Sequence, residues 1–109
     1  MEKFVRGDIV VIPFPFSDLS GSKKRPALVL ADLQGDDIIL CQITSQHTKD
    51  KYAIAINDSD FKTSKLTVPS NIRPNRIFTA DKDIIIKKAA SLDEIAVNSV
   101  IQKVISILS

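Results

Sequence analysis

Apolar residues come in short clusters along most of the chain and settle into a helical period only near its end. Asp8-Ile9-Val10-Val11-Ile12 is β-branched and follows Arg6-Gly7, the pattern of a buried strand. Pro13 and Pro15 remove two ladder donors, so this strand ends, bulges or lies at an edge there. Pro26–Ala31 and Ile38–Ile43 read as a strand pair joined by the turn residues Gln34-Gly35-Asp36-Asp37. Tyr52–Ile56 predicts a further strand, Leu66–Ser70 and Ile72–Thr79 extended chain, and Ile84–Lys88 the last strand. Ser91-Leu92-Asp93-Glu94 has the form of a capping box with Ser91 as N-cap, after which Val97, Val100, Ile101, Val104 and Leu108 keep to one helical face. The expected architecture is mostly β with a C-terminal helix, a single domain over residues 1–109.

Composition narrows the function. At 109 residues with 44% hydrophobic and 26% charged positions, the chain is one ordinary domain without room for a separate cofactor domain. Fifteen Lys and Arg against thirteen Asp and Glu leave a formal charge of +2, so any nucleic-acid binding must come from a local patch. Cys41 is the one cysteine, which excludes an intrachain disulfide and fits a reducing compartment. With no apolar signal stretch and no run long enough to span a bilayer, a cytoplasmic location is expected.

Several chemistries fall away. Cys41 and His47 alone cannot build a Cys/His zinc site, and Gly21-Ser22-Lys23-Lys24 lacks the earlier Gly of a phosphate-binding P-loop. The acidic pairs, such as Asp36-Asp37 and Asp81-Lys82-Asp83, read as surface turns, so neither metal nor cofactor is expected. What remains is a basic cluster, Lys23-Lys24-Arg25, a second one at Arg73-Pro74-Asn75-Arg76, and the hydroxyl-rich stretch Thr44-Ser45-Gln46-His47-Thr48. Arginine beside Ser and Thr hydroxyls suits a phosphodiester: the guanidinium forks onto phosphate oxygens and hydroxyls add neutral donors. The bland alternative is that both clusters are solvated loops.

Arg6-Gly7-Asp8-Ile9-Val10-Val11-Ile12-Pro13-Phe14-Pro15-Phe16, followed by Gly21 to Arg25-Pro26-Ala27-Leu28-Val29-Leu30, resembles the opening of the PemK/MazF family. Ile43-Thr44-Ser45 is similar to that family's second motif, and Pro69-Ser70-Asn71-Ile72-Arg73, continuing to Ile77–Asp81, to its third. The resemblance runs in order over nearly the whole chain. It implies an SH3-like barrel and a toxin of a bacterial type II toxin–antitoxin pair. The implied activity is a metal-independent, sequence-specific endoribonuclease acting on single-stranded mRNA. Attack by the RNA's own 2′-OH leaves a 2′,3′-cyclic phosphate and a 5′-OH, and a homodimer is neutralised by a cognate antitoxin.

Carried over position by position, Arg25 matches the family's catalytic arginine and Thr44 its catalytic hydroxyl residue, with Ser45 as the adjacent partner. Lys23, Lys24, Gln46, His47 and Arg76 are candidate RNA contacts, as is Arg73, which matches a basic family position near the scissile phosphate. The family's Asp two residues after that arginine is Asn75 here, a further candidate RNA contact that cannot act as a carboxylate base. Phe16, with Phe14, either stacks on a base or fills the core or a dimer interface. Two other readings stay open: a non-catalytic binder of RNA or antitoxin, motivated by Asn75, and a CcdB-type barrel that binds DNA gyrase.

Overall fold

The computed structural model describes residues 3–14, 23–45 and 50–109, apart from the side chains of Phe14 and Lys23. The strands are β1 (Asp8–Phe14), β2 (Lys23–Asp32), β3 (Asp37–Thr44), β4 (Ile54–Ile56), β5 (Phe61–Thr63), β6 (Ser70–Asp81) and β7 (Lys87–Leu92), followed by the helix α1 (Glu94–Leu108). They form one antiparallel sheet in the order β4-β6-β3-β2-β1-β7-β5, curled into a half-barrel.

The central strands are apolar at consecutive positions because both faces of the curled sheet are covered. On one face Ile9, Leu28, Cys41, Ile43 and Ile72 pack with Ala90, Leu92 and the helix residues Val97 and Val100. On the other, Val10, Ile12, Ala27, Val29, Ile38 and Leu40 pack with Phe4, Ala80, Ile84 and Ile85. Each fully buried Ile, Leu or Val contributes roughly 1.5–3 kcal/mol relative to exposure, and the two clusters share that gain between the faces. A double-sided core also explains why strict polar–apolar alternation is missing from β3, with its run Ile38–Ile43.

The C-terminal third differs in detail from the sequence expectation. Residues Lys82–Ile84 make a 3-10 turn, and the last strand runs six residues from Lys87 to Leu92 rather than from Ile84 to Lys88. The helix N-cap is Asp93, whose Oδ1 accepts from the Ala96 N–H at 2.8 Å, not Ser91. Ser91 is spoken for by β7: its hydroxyl donates to Asp8 Oδ1 at 3.1 Å. Asp8, only 3% exposed, also accepts from the Val5 N–H at 3.0 Å and faces the Lys88 ammonium at 3.8 Å. Of Tyr52–Ile56 only Ile54–Ile56 is strand, and β5 is a short edge element with no signal in the apolar pattern.

The strand β6 contains the feature that shapes the site. Between Cys41 and Ile43, two steps along β3, the partner on β6 moves five residues, from Ile77 to Ile72. Residues Arg73-Pro74-Asn75-Arg76 therefore bulge out of the ladder. Proline lacks the N–H that a regular ladder needs, so a bulge is where it fits, and Pro74 is fully buried beneath this one. The Arg73 carbonyl is bonded instead by the Cys41 thiol, which donates to it at 3.0 Å. Burial pushes that thiol up to about 12, against the opposing effect of the bond to Arg73, so it stays protonated and able to donate.

Candidate active site

Register decides which candidate residues meet. Ile12 pairs with Arg25, Ala27 with Gln42, and Thr44 with Asn71. Carrying the Ala27–Gln42 register two residues further sets Arg25 beside Thr44. Because strand side chains alternate, Ile12, Arg25, Thr44 and Asn71 share one face at one end of the sheet, and Arg73 opens the bulge two residues after Asn71. Four neighbouring strands, β1, β2, β3 and β6, thus bring together groups that lie far apart in sequence. Arg25 is half-buried and Thr44 is 7% exposed, at the floor of this end of the sheet.

The opposite face carries a cleft of about 370 Å³ lined by Val11, Lys24, Arg25, Pro26, Ile43, Ser45, Leu66, Thr67, Val68 and Ser70. Val11 pairs with Pro26 and Ile43 with Ile72, so this is the alternate set of side chains. Arg25 borders the cleft as well and so stands at the junction of the two faces. Thr44 does not line it, whereas the exposed Ser45 does; the two adjacent residues point to different sides. The segment Leu66 to Val68, expected to be extended, is not a strand and forms one wall.

The second basic cluster is split by the bulge. Arg76 and Asn75 are exposed, while Arg73 is 20% exposed and turned onto Asp50. Its Nε and Nη2 both donate to Asp50 Oδ2 at 3.1 Å. The Asp50 carboxyl is held below its ordinary range, first by the Tyr52 N–H donated to its Oδ1 at 2.9 Å. Loss of hydration opposes this, and hydrogen bonds from Arg73 and Asn75 together with the Arg73 charge lower it further. Asp50 was not legible as a site residue: between Lys49 and Lys51 it reads as a solvated turn. Lys24 is exposed beside Arg25, and Lys23 begins β2. Phe16, Gln46 and His47 lie outside the described residues.

A half-barrel with Arg25 and Thr44 near the ends of its central strands and Arg73 in the adjoining bulge frames the candidate site. The chain matches the family described as PemK-like, MazF-like toxin of type II toxin–antitoxin system over residues 5–108, and it belongs to that family. Among curated proteins none matches the sequence. Solved structures share the fold at low identity. An endoribonuclease from mycobacterial species superposes with a TM-score of 0.74 at 16% identity, covering 99% of this chain and 93% of its own. An endoribonuclease in complex with its cognate antitoxin, also mycobacterial, gives 0.73 at 16%, covering 97% and 95%. MazE–MazF from Deinococcus radiodurans gives 0.75 at 20%, covering 95% and 94%.

Proposed function

We propose that this toxin is an endoribonuclease that cuts single-stranded mRNA and so halts translation until an antitoxin binds it. The observation that supports this best is the Ala27–Gln42 and Thr44–Asn71 pairing, whose continuation along β2 and β3 leads Arg25 and Thr44 to the same end of the sheet, with Arg73 on the next strand. Similar proteins are endoribonucleases, and one of those superposed is bound to its antitoxin.

The chemistry needs no protein nucleophile. The RNA 2′-oxygen attacks the adjacent phosphorus as its proton passes to water, the bond to the 5′-oxygen breaks, and that oxygen takes a proton back from water. The products are a 2′,3′-cyclic phosphate and a 5′-OH. Charge gathers on the non-bridging oxygens in the transition state, where a fixed guanidinium is worth most. Arg25 supplies that charge, and Thr44 donates a hydrogen bond to the same phosphate from beneath. The contribution of Arg25 is electrostatic: its planar, delocalised guanidinium suits the forked grip of phosphate oxygens. Lys24 and Ser45 hold the neighbouring stretch of RNA along the cleft, whose volume of about 370 Å³ falls within the range for small-ligand sites. Family membership further suggests a homodimer acting in the cytoplasm, where mRNA and antitoxin are found.

The test is incubation of the purified chain with a long single-stranded RNA in EDTA, comparing wild type with Arg25→Ala and mapping product ends. Cutting by wild type only, with cyclic phosphate and 5′-OH ends, supports the assignment. Equal cutting by Arg25→Ala overturns the role of Arg25. RNA binding without turnover by wild type would favour the non-catalytic reading, to which Asn75 gives some chemical basis. Growth arrest that survives Arg25→Ala without RNA decay would favour a protein target such as gyrase.

A further inference from the structure

We propose that Asp50 is a positioning residue of the ribonuclease site, orienting Arg73 so that its guanidinium presents its outer edge to an RNA phosphate. The inference rests on the endoribonuclease reading above. Its geometry is specific. A guanidinium has two edges that can each grip an oxyanion through two N–H groups, one formed by Nε with an Nη and one by the two Nη atoms. Asp50 Oδ2 takes the Nε–Nη2 edge, with both contacts at 3.1 Å. The Nη1–Nη2 edge is then the one a phosphate can grip.

The backbone beneath is fixed as well. The Cys41 thiol holds the Arg73 carbonyl, and the buried Pro74 ring restricts the residue before it. Asp50 is itself anchored by the Tyr52 N–H at 2.9 Å, and the Asn75 amide hydrogen-bonds its carboxyl. Its side chain is 8% exposed, so the pair is shielded from competing water and salt. Asn75 thus has a task compatible with an amide: it helps hold the carboxylate that holds Arg73. A carboxylate with these partners stays ionised at neutral pH, which suits an anchor and not a proton acceptor.

The experiment is a double-substitution cycle on the purified chain with Asp50→Ala, Arg73→Ala and the pair, read in two ways. One readout is kcat/KM for cleavage of single-stranded RNA. The other is Kd, over a range of salt, for the same RNA with 2′-O-methyl groups, which lacks the nucleophile and cannot be cut. Asp50→Ala should lower kcat/KM by roughly 10–100-fold, as misplacement of a positioned group typically does. It should also lower the slope of log Kd against log salt by about 0.7, the value for one lost phosphate contact on a single strand. Arg73→Ala should do at least as much, and the pair no more than Arg73→Ala alone.

Asp50→Glu, which keeps the charge on a longer arm, should recover part of the loss, and Asp50→Asn little of it. These two milder variants carry the test if the Ala variant is too unstable to assay. Asp58→Asn, at a carboxylate 82% exposed, is the control and should behave as wild type. An Asp50 variant with unchanged slope and kcat/KM overturns the proposal, as does an equal further loss when Asp50→Ala is added to Arg73→Ala. If Arg25→Ala abolishes cutting while the Asp50 variants do nothing, only the role of Asp50 fails. If wild type neither cuts nor binds RNA, the ribonuclease reading fails and takes this proposal with it.

Discussion

Replacing Cys41 tests whether a buried thiol holds the bulge that carries Arg73. Cys41→Ala removes both the sulfur's packing and the donor to the Arg73 carbonyl, whereas Cys41→Val refills the space and removes only the donor. Leaving a part-buried acceptor without its partner costs about 1–3 kcal/mol. Losing one buried heavy atom adds about 1 kcal/mol. The Ala variant should therefore lose about 2–4 kcal/mol at pH 7 and the Val variant about 1–3. At roughly 4–8 °C of Tm per kcal/mol, both shifts are easily seen.

The pH dependence sharpens the test. In the unfolded chain the thiol loses its proton above about 8.5, but in the fold it holds it to about 12. The unfolded state therefore binds fewer protons as pH rises past about 8.5, and wild-type stability falls by up to about 1.4 kcal/mol per unit. Between about pH 8.5 and pH 10 wild type should lose about 2 kcal/mol that neither variant loses, because every other titrating group is common to the three proteins. Denaturant unfolding under reducing conditions, at pH 7, 8.5 and 10, measures all three proteins. Wild type should approach the variants at the alkaline end. A Val variant as stable as wild type at pH 7, or a gap that stays constant to pH 10, would refute the reasoning.

Gly7 has φ near +100°, and a Cβ there would stand 2.9 Å from Val97 Cγ2, so Gly7→Ala combines backbone strain with overpacking against α1. It should cost about 2–4 kcal/mol by thermal or denaturant unfolding, and a loss under 1 kcal/mol would mean that α1 can shift aside freely. Asp93→Ala removes the N-cap bond to the Ala96 N–H and should cost about 1 kcal/mol, while Ser91→Ala leaves the helix start intact and acts only through Asp8. Helical circular dichroism on the two variants separates them: a larger loss of helix in Ser91→Ala would restore Ser91 as the cap.

The fold class was legible because its main signals are local. Short β-branched runs such as Ile9–Ile12, the turn residues Gln34-Gly35-Asp36-Asp37 and one helical period near the end suffice for a mostly β chain with a terminal helix. The helix cap was not so easily read. Ser91 and Asp93 are both good cap residues, and the choice fell to tertiary structure: Asp8, across the sheet, bonds the Ser91 hydroxyl. The same holds for β5, three residues whose only reason to be strand is pairing with β7, Phe61 opposite Leu92. Among the candidate residues, Arg25 and Thr44 could be named from motifs, but Asp50 could not. The role proposed for it depends on a contact with Arg73, 23 residues away, beside the bulge at Pro74.

That bulge also bears on how a nearly neutral chain can hold a polyanion. A net charge of +2 offers little long-range attraction, so affinity must come from a few cations fixed where phosphates lie. A strand end such as that of Arg25 fixes a backbone through its ladder, and that ladder is interrupted at Arg73. There the sheet's own bonds are replaced by two others, the Cys41 thiol on the carbonyl and the Asp50 carboxylate on the guanidinium. Neither replacement lengthens the chain or adds a loop. Each removes a freedom that the bulge would otherwise give Arg73, and an arginine that has already lost that freedom gives up less entropy on gripping a phosphate.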